Sequence, residues 1–274
     1  SRGLGDVYKR QNVGSAAISA VSLVDSINVL LIQAFSALAA GGAIVCAQYI
    51  GQRNYEKANM SARQVLFIIT AISVVVSAVC LIFQKPLLRL IFGAVDADVM
   101  RASEIYFFFT ALSFPFIAAY DSAASIFRAQ ENTKGPMTIS MISNIMNIGG
   151  NAVLIWVFHL GVAGAAISTL VSRIFCAVVV LWQLRKDRQP VVVKDYLKIR
   201  PDWSMIGRIL GLGIPSGIEN SMFQLGKLAI QSTVSTLGTA AIAAQAMTNI
   251  LENLNGIAAI GVGVGPVSYT HLTL

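Results

Sequence analysis

The stretch Val65-Leu-Phe-Ile-Ile-Thr-Ala-Ile-Ser-Val-Val-Val-Ser-Ala-Val-Cys-Leu-Ile-Phe83 has no charged residue in its 19 positions. A helix needs about 20 mostly apolar residues to cross the hydrocarbon layer of a membrane. The chain has 55% hydrophobic and 12% charged residues and a mean hydropathy of +0.69, which excludes an ordinary water-soluble domain. The sequence therefore predicts an all-α polytopic membrane protein. Its seven predicted spans lie near 15–50, 60–84, 103–127, 136–158, 161–183, 205–234 and 238–266.

Basic residues are shared unevenly between the connections that join these spans. Twelve of them lie in the connections 51–63, 128–135 and 185–208, whereas the connections on the other side hold three. Basic loops stay on the cytoplasmic side of a membrane, so we expect the first group in the cytoplasm. The expected location is the cell membrane of a bacterium, with membrane lipid as a partner.

A short internal repeat predicts the architecture of the parent protein. Gly14-Ser-Ala-Ala-Ile-Ser-Ala20 and Gly238-Thr-Ala-Ala-Ile-Ala-Ala244 agree at five of seven positions. They open the first and the seventh span, so both copies cross the membrane in the same direction. This parallel repeat predicts two six-helix bundles, about 12 spans, of which the chain holds about seven. We assign 12–184 to an N-terminal bundle without its first helix, 185–203 to a cytoplasmic linker, and 204–266 to the start of a C-terminal bundle.

The two ends of the chain do not continue this pattern. If Asp6-Val-Tyr-Lys-Arg-Gln11 is written as GAT GTG TAT AAG AGA CAG, its reverse complement read in the third frame begins Val-Ser-Tyr-Thr-His, which is residues 267–271. The two ends therefore correspond to the two strands of one oligonucleotide, as in a sequencing-library adapter. We expect residues 1–11 and 267–274 not to be native, and the native protein to extend beyond both ends.

Four motifs then carry a family resemblance. They are Ala47-Gln-Tyr-Ile-Gly-Gln52, Phe127-Arg-Ala-Gln-Glu-Asn-Thr-Lys134, Gly161-Val-Ala-Gly-Ala-Ala-Ile167 and Gly211-Leu-Gly-Ile-Pro215. With them the chain resembles the multidrug and toxic compound extrusion (MATE) family, as its second to eighth helices. The Asp-Arg-Gly-Arg type loop of the major facilitator superfamily is absent from the sequence, and so is a phosphate-binding Gly-x-x-x-x-Gly-Lys loop. The resemblance implies a transporter, not an enzyme, that uses a coupling ion and no other cofactor.

Ionisable residues within the spans are the first functional candidates, because a charge in hydrocarbon costs several kcal/mol. Glu219 lies near the middle of the sixth span and resembles the acid with which MATE transporters bind the coupling H⁺ or Na⁺, although it comes about one turn earlier. Glu252 in the seventh span is the second candidate, and Asp25 and Asp121 follow. We expect Arg173, in the fifth span, to neutralise one of these acids.

Three amides in the fourth span form another candidate group. Asn144, Asn147 and Asn151 fall at i, i+3 and i+7, so we expect one helix face that looks toward protein. One MATE branch has an Asn-x-x-x-Asp pattern here as part of a cation site, and this chain has Asn151 in place of the acid. The amides therefore either join helices through hydrogen bonds or contact the substrate.

The hypothesis for function is an antiporter that exports lipophilic, cationic drugs or toxic compounds in exchange for H⁺ or Na⁺ by alternating access. Two alternatives stay open: a flippase for lipid-linked precursors from the same superfamily, and a membrane subunit that does not transport. We expect no nucleic-acid partner, since the basic residues lie between apolar runs rather than on one patch. The three cysteines show no CxxC spacing, so neither a disulfide framework nor a zinc site is predicted.

Overall fold

The computed structural model describes residues 2–92, 97–186, 190–194, 200–235 and 248, with the side chains of α1 described from Ala20 onward. Within these ranges the chain forms helices and no strands, which confirms the all-α prediction. The helices are α1 (Arg2–Gly51), α2 (Tyr55–Ile82), α3 (Gln84–Phe92), α4 (Ala97–Leu112), α5 (Phe114–Ala129), α6 (Lys134–Ala152), α7 (Gly161–Leu184) and α8 (Trp203–Ser235). A π-helical turn, Val153–Val157, follows α6.

The membrane-crossing helices agree with the predicted spans. In the described part of the chain, four helices are long and apolar enough to cross a membrane, and the bent pair α4–α5 is a fifth when it is counted as one span. The helix α8 is 33 residues long but is not among them, because Glu219, Asn220 and Gln224 interrupt its apolar sequence. The seventh predicted span, 238–266, and the repeat copy within it lie outside the described residues, apart from Thr248.

The third predicted span is broken in the middle by a proline. Pro115 is the second residue of α5, which follows Ser113, and α4 and α5 meet there at an angle of 42°. Proline has no N–H, so the carbonyl of Ala111, four residues earlier, loses its usual helical donor. The hydroxyl of Ser77 on α2 donates to this carbonyl at 2.7 Å. A side chain from the neighbouring helix thus satisfies the acceptor that the break leaves open.

The core of the bundle is formed around α1. This helix packs against α2, α4, α5 and α8, and the rings of Phe35 and Phe114 meet edge to face with centroids 6.2 Å apart. Phe107 and Phe127 are fully buried nearby. The helix α6 is peripheral and packs mainly against α7. Large apolar side chains are exposed around the bundle, as expected for a surface that faces lipid.

The described parts of the 185–203 segment are held against one end of the bundle. The amide of Val192 donates to Asn59 Oδ1 of α2 at 2.8 Å, and the amide of Val191 donates to Gln130 Oε1 at 3.0 Å. Gln64 of α2 donates from Nε2 to the carbonyl of Arg200 at 2.7 Å. The start of α2, the α5–α6 connection and the linker therefore lie together, as predicted for the three basic-rich connections.

Candidate functional site

At the end of the bundle away from the linker, a carboxylate is held by two donors. Asp25 lies half-buried on α1, and the hydroxyl of Tyr106 on α4 donates to its Oδ1 at 3.1 Å. Asn28, one turn further along α1, donates from Nδ2 to the same oxygen at 3.3 Å. Hydrogen bonds to an ionised group are worth about 1.5–3 kcal/mol each. The two donors therefore fix Asp25 at the contact between α1 and α4.

The arginine of the fifth predicted span reaches the break between α4 and α5. Arg173 of α7 donates from Nη1 to the hydroxyl oxygen of Ser113 at 2.6 Å. Its guanidinium is within electrostatic range of Asp25 and of Asp121. The expected role of Arg173 in neutralising an intramembrane acid stays a prediction, for which two acids are in range.

Within the described residues, the carboxylate of Asp121 on α5 has an oxygen without a hydrogen-bond partner, whereas Asp25 has two donors. This oxygen of Asp121, Oδ2, is buried. Arg128, two turns along α5 toward the linker, and Arg173 are the cations that act on it. In the same part of the chain, the buried Oδ1 of Asn28 also lacks a partner. Oδ2 of Asp121 can therefore accept a proton or a small cation, and Oδ1 of Asn28 can accept a hydrogen bond or a small cation.

We call Asp25, Asn28, Tyr106, Ser113, Asp121 and Arg173 the bundle network. It joins α1, α4, α5 and α7. The network contains two acids and one base, and Arg128 is a second cation that acts on Asp121.

The asparagines of α6 are placed differently from the prediction. Asn147 donates from Nδ2 to the hydroxyl of Thr169 on α7 at 3.3 Å, and Asn151 donates to Asn147 Oδ1 at 3.2 Å. Asn144 is exposed on the described part of the chain, so the expected common inward face is not formed at this residue. The residue next to Asn144 makes the contact with α7 instead: the hydroxyl of Ser143 donates to the carbonyl of Ser172 at 3.1 Å.

The linker-side halves of α1 and α8 touch along small residues. A Cβ added at Gly41 of α1 would lie 2.5 Å from the backbone nitrogen of Gly213 on α8. One turn later in α8 and one turn earlier in α1, a Cβ at Gly217 would be 3.7 Å from the Cβ of Ala37. We call these two contacts the glycine seam. Only residues without a large side chain allow two helix backbones to approach this closely.

A polar contact continues the seam toward the linker. Arg208 of α8 donates from Nη1 to the hydroxyl of Tyr49 on α1 at 2.6 Å, and its guanidinium lies 5.5 Å from the centre of the Tyr49 ring. The ammonium of Lys57 approaches the same ring at 5.9 Å. The seam and this contact together close the linker-side end of the α1–α8 interface.

Two further predicted site residues lie toward the end of the described chain. Glu219 is exposed on α8, two residues beyond Gly217 of the seam. Glu252 lies outside the described residues, as does the side chain of Lys227. The structure therefore brings Asp25, Asp121 and Arg173 together in one network, and it places Glu219 on a different helix.

The described residues contain no group of three or more His, Cys, Asp or Glu side chains that could hold a metal ion. Cys46, Cys80 and Cys176 are buried free thiols on α1, α2 and α7.

Three members of the bundle network were not predicted from the sequence. Asn28, Tyr106 and Ser113 are uncharged, and single residues of these types are common in membrane helices. The spacing of Asn28 from Asp25 was the one available signal, since residues three apart lie on the same helix face.

An apolar helical bundle that keeps two acids and an arginine at membrane depth is typical of a polytopic membrane transporter. A family model described as MatE matches residues 6–153, which is more than half of the 274 residues. The chain belongs to this family, whose members are membrane transporters and not enzymes. The resemblance inferred from the four sequence motifs is thereby confirmed.

Individual relatives agree with this assignment. The chain is 27% identical over 260 residues to the probable multidrug resistance protein YoeA of Bacillus subtilis, covering 92% of the chain and 55% of that relative. Among solved structures, an outward-facing multidrug resistance MATE family transporter of the MOP superfamily matches with a TM-score of 0.81 and 19% identity, over 99% of the chain and 59% of the other. An inward-facing conformation of such a transporter matches with a TM-score of 0.75 and 21% identity, over 94% and 62%. The chain thus spans about half the length of the curated relative.

Proposed function

We propose that the protein to which this chain belongs is a secondary active exporter that moves lipophilic, cationic compounds out of the cell in exchange for H⁺ or Na⁺. Membership of the MatE family and the similarity to a probable multidrug resistance protein support the transport of drugs. The bundle network is the observation that supports ion coupling, because it holds ionisable groups at membrane depth.

A buried carboxylate oxygen in the network supports the uptake of one cation. Oδ2 of Asp121 accepts no hydrogen bond within the described residues. A buried acceptor without a partner is costly, so binding of one H⁺ or Na⁺ at this oxygen stabilises the bundle. A cationic substrate that enters the same electrostatic field competes with this ion. Such competition is the basis of exchange.

Glu219 is the second proposed coupling acid and the proposed Na⁺ ligand. It follows the Gly-Leu-Gly-Ile-Pro entry of α8, where the MATE resemblance implies a cation site in the second bundle. Because α8 touches α1 along the glycine seam, ion binding at Glu219 acts on the helix that contacts the first bundle. Alternating access then consists of opening and closing this contact in step with ion and substrate binding.

The flippase alternative requires a strongly basic cavity for a pyrophosphate group. In the described part of the bundle interior, Arg173 and Arg128 both act on acids of the network. Cations that are paired with acids do not form a strongly basic cavity, which favours a cationic over an anionic substrate. We therefore retain export of cations as the proposed function.

Dye efflux from proteoliposomes tests the proposal. The transporter that contains this chain is reconstituted and loaded with a cationic dye, and an H⁺ or Na⁺ gradient is imposed. Glu219→Gln and Glu252→Gln are compared with the unmodified protein, since glutamine keeps the size of the side chain but cannot ionise. We expect gradient-driven efflux in the unmodified protein and its loss in Glu219→Gln. Equal efflux with and without a gradient in folded protein contradicts ion coupling, and loss in Glu252→Gln alone moves the site to the seventh span.

A further inference from the structure

A cleft of about 1070 Å³ opens between the start of α2 and the start of α8. Its walls are formed by residues 54–64 of the first bundle and by the end of the linker with the first residues of α8. Both walls belong to the linker end of the molecule, where the basic-rich connections meet. We call it the linker cleft. It bridges the two predicted bundles across the segment that joins them.

The linker cleft has a defined frame. Gln64, which is only 3% exposed, donates from Nε2 to the carbonyl of Arg200 at 2.7 Å and accepts from the amide of Asp202 at 3.2 Å. The buried amide of Gln64 thus connects the two sides of the cleft. Its two hydrogen bonds fix the position of Arg200 relative to α2.

Cations dominate the lining of the cleft. Lys57, Arg63 and Arg200 line it and have exposed side chains. Of its two acids, Asp202 is engaged at the start of α8, where its Oδ1 accepts from the amides of Ser204 and Met205 at 3.1 and 3.3 Å. Three cations and two acids give the lining a net charge of +1, and the carboxylate of Asp202 is bound to the start of α8. The cleft therefore suits an anion.

Two large apolar side chains also line the cleft. Trp203, the first residue of α8, is 73% exposed, and Met60 on α2 is 37% exposed. Tryptophans at the ends of membrane helices lie at the boundary between the hydrocarbon and the headgroups. A ligand in this cleft therefore has access to cations on one side and to acyl chains on the other.

We propose that the linker cleft binds the headgroup of an anionic phospholipid, with its phosphate between Arg63 and Arg200 and its glycerol and acyl chains against Met60 and Trp203. Arginine binds phosphate oxygens in a planar, two-pronged geometry, which suits this role better than a point charge. The lipid would connect α2 of the first bundle with the linker and α8. It is a binding site separate from the bundle network, and it does not depend on the identity of the exported compound.

Native mass spectrometry of the purified transporter in detergent tests this proposal. Phosphatidylglycerol, phosphatidylcholine and inorganic phosphate are titrated separately, and the fraction of protein that retains one lipid is measured. The double substitution Arg63→Gln with Arg200→Gln is compared with Lys134→Gln and Arg185→Gln, which removes two exposed basic residues from the same end of the bundle but outside the cleft. A charge-conserving pair, Arg63→Lys with Arg200→Lys, separates loss of charge from misfolding.

We expect one phosphatidylglycerol to be retained in preference to phosphatidylcholine, and its affinity to fall about 30-fold in the cleft variant, from roughly 1 kcal/mol for each basic residue near the surface. The control pair and the lysine pair should retain most of the binding. Three outcomes overturn the proposal: equal retention of both lipids, equal losses in the cleft and control variants, or displacement of the lipid by inorganic phosphate at similar concentration. The last would identify a site for a soluble anion.

Discussion

The substitution Gly41→Ala tests whether the glycine seam closes the linker-side end of the α1–α8 interface. The new Cβ would lie 2.5 Å from the nitrogen and 2.6 Å from the Cα of Gly213. Carbon atoms pack at about 3.5–4.0 Å, so the two backbones must separate by roughly 1 Å. Because a backbone cannot rotate aside as a side chain can, the whole contact must open.

The cost of this overpacking is about 1–3 kcal/mol, which corresponds to a shift of about 5- to 150-fold in the ratio of closed to open molecules. Alanine also favours a helix over glycine by about 0.8–1.0 kcal/mol. Gly211→Ala on α8 is the matched control, since it makes the same replacement in a helix where the added Cβ meets nothing within 4 Å.

Spin labels at two exposed positions measure the effect. We place them on cysteines introduced at Gln52 and Gly207, in a transporter freed of its native cysteines, and record the distance distribution by pulsed dipolar spectroscopy. Gly41→Ala should move population from the shorter to the longer distance, whereas Gly211→Ala should resemble the unmodified protein. If Gly41→Ala leaves the distribution unchanged, the seam is not a closing contact and this part of the account is wrong.

Three further predictions concern stability, measured as thermal unfolding of the purified protein in detergent. Tyr106→Phe removes a donor to the carboxylate of Asp25 and should lower the free energy of unfolding by about 1.5–3 kcal/mol. The control Tyr120→Phe removes a donor to a backbone carbonyl at 3.0 Å and should lower it by about 1 kcal/mol; equal losses would contradict the contact with the carboxylate. Ser77→Ala leaves the carbonyl at the proline break without its donor and should cost about 1–3 kcal/mol; an unchanged melting temperature would show that this contact is not needed. Asn147→Ala removes a hydrogen bond between α6 and α7 and should lower the free energy of unfolding by about 1 kcal/mol, while Asn144→Ala should have almost no effect. A larger loss for Asn144→Ala than for Asn147→Ala would contradict this arrangement and favour the predicted inward face.

The helical spans were predictable because long apolar runs have few other stable forms in a membrane. The proximity of Arg173 to intramembrane acids could be expected from the cost of burying an unpaired charge, whereas its role stays a prediction. The close contact between Gly213 of α8 and Gly41 of α1 was not predicted, since glycine spacing on one helix does not identify the helix that packs against it.

The remaining differences arise from packing between helices. Asn144 and Asn147 have similar sequence surroundings, but α7 contacts α6 along a line that begins at Ser143, and this choice depends on the shape of both helices. The donor for Asp25 is 81 residues away on α4, a separation that no local pattern reveals. The angle at Pro115 decides which side chains of α4 and α5 reach the network.

The central claim is that a cation crosses the membrane against the exported compound by binding at acids within the spans. The most direct measurement records both fluxes at once, in proteoliposomes with a dye gradient but no imposed ion gradient, using a cationic dye and an internal reporter of H⁺ or Na⁺. Asp121→Asn and Glu219→Gln are measured beside the unmodified transporter. The account predicts that a dye gradient drives one of the two ions in the opposite direction, and that both substitutions weaken this coupled ion flux. Dye movement with no counter-flow of either ion, in protein that is folded and active, would contradict it.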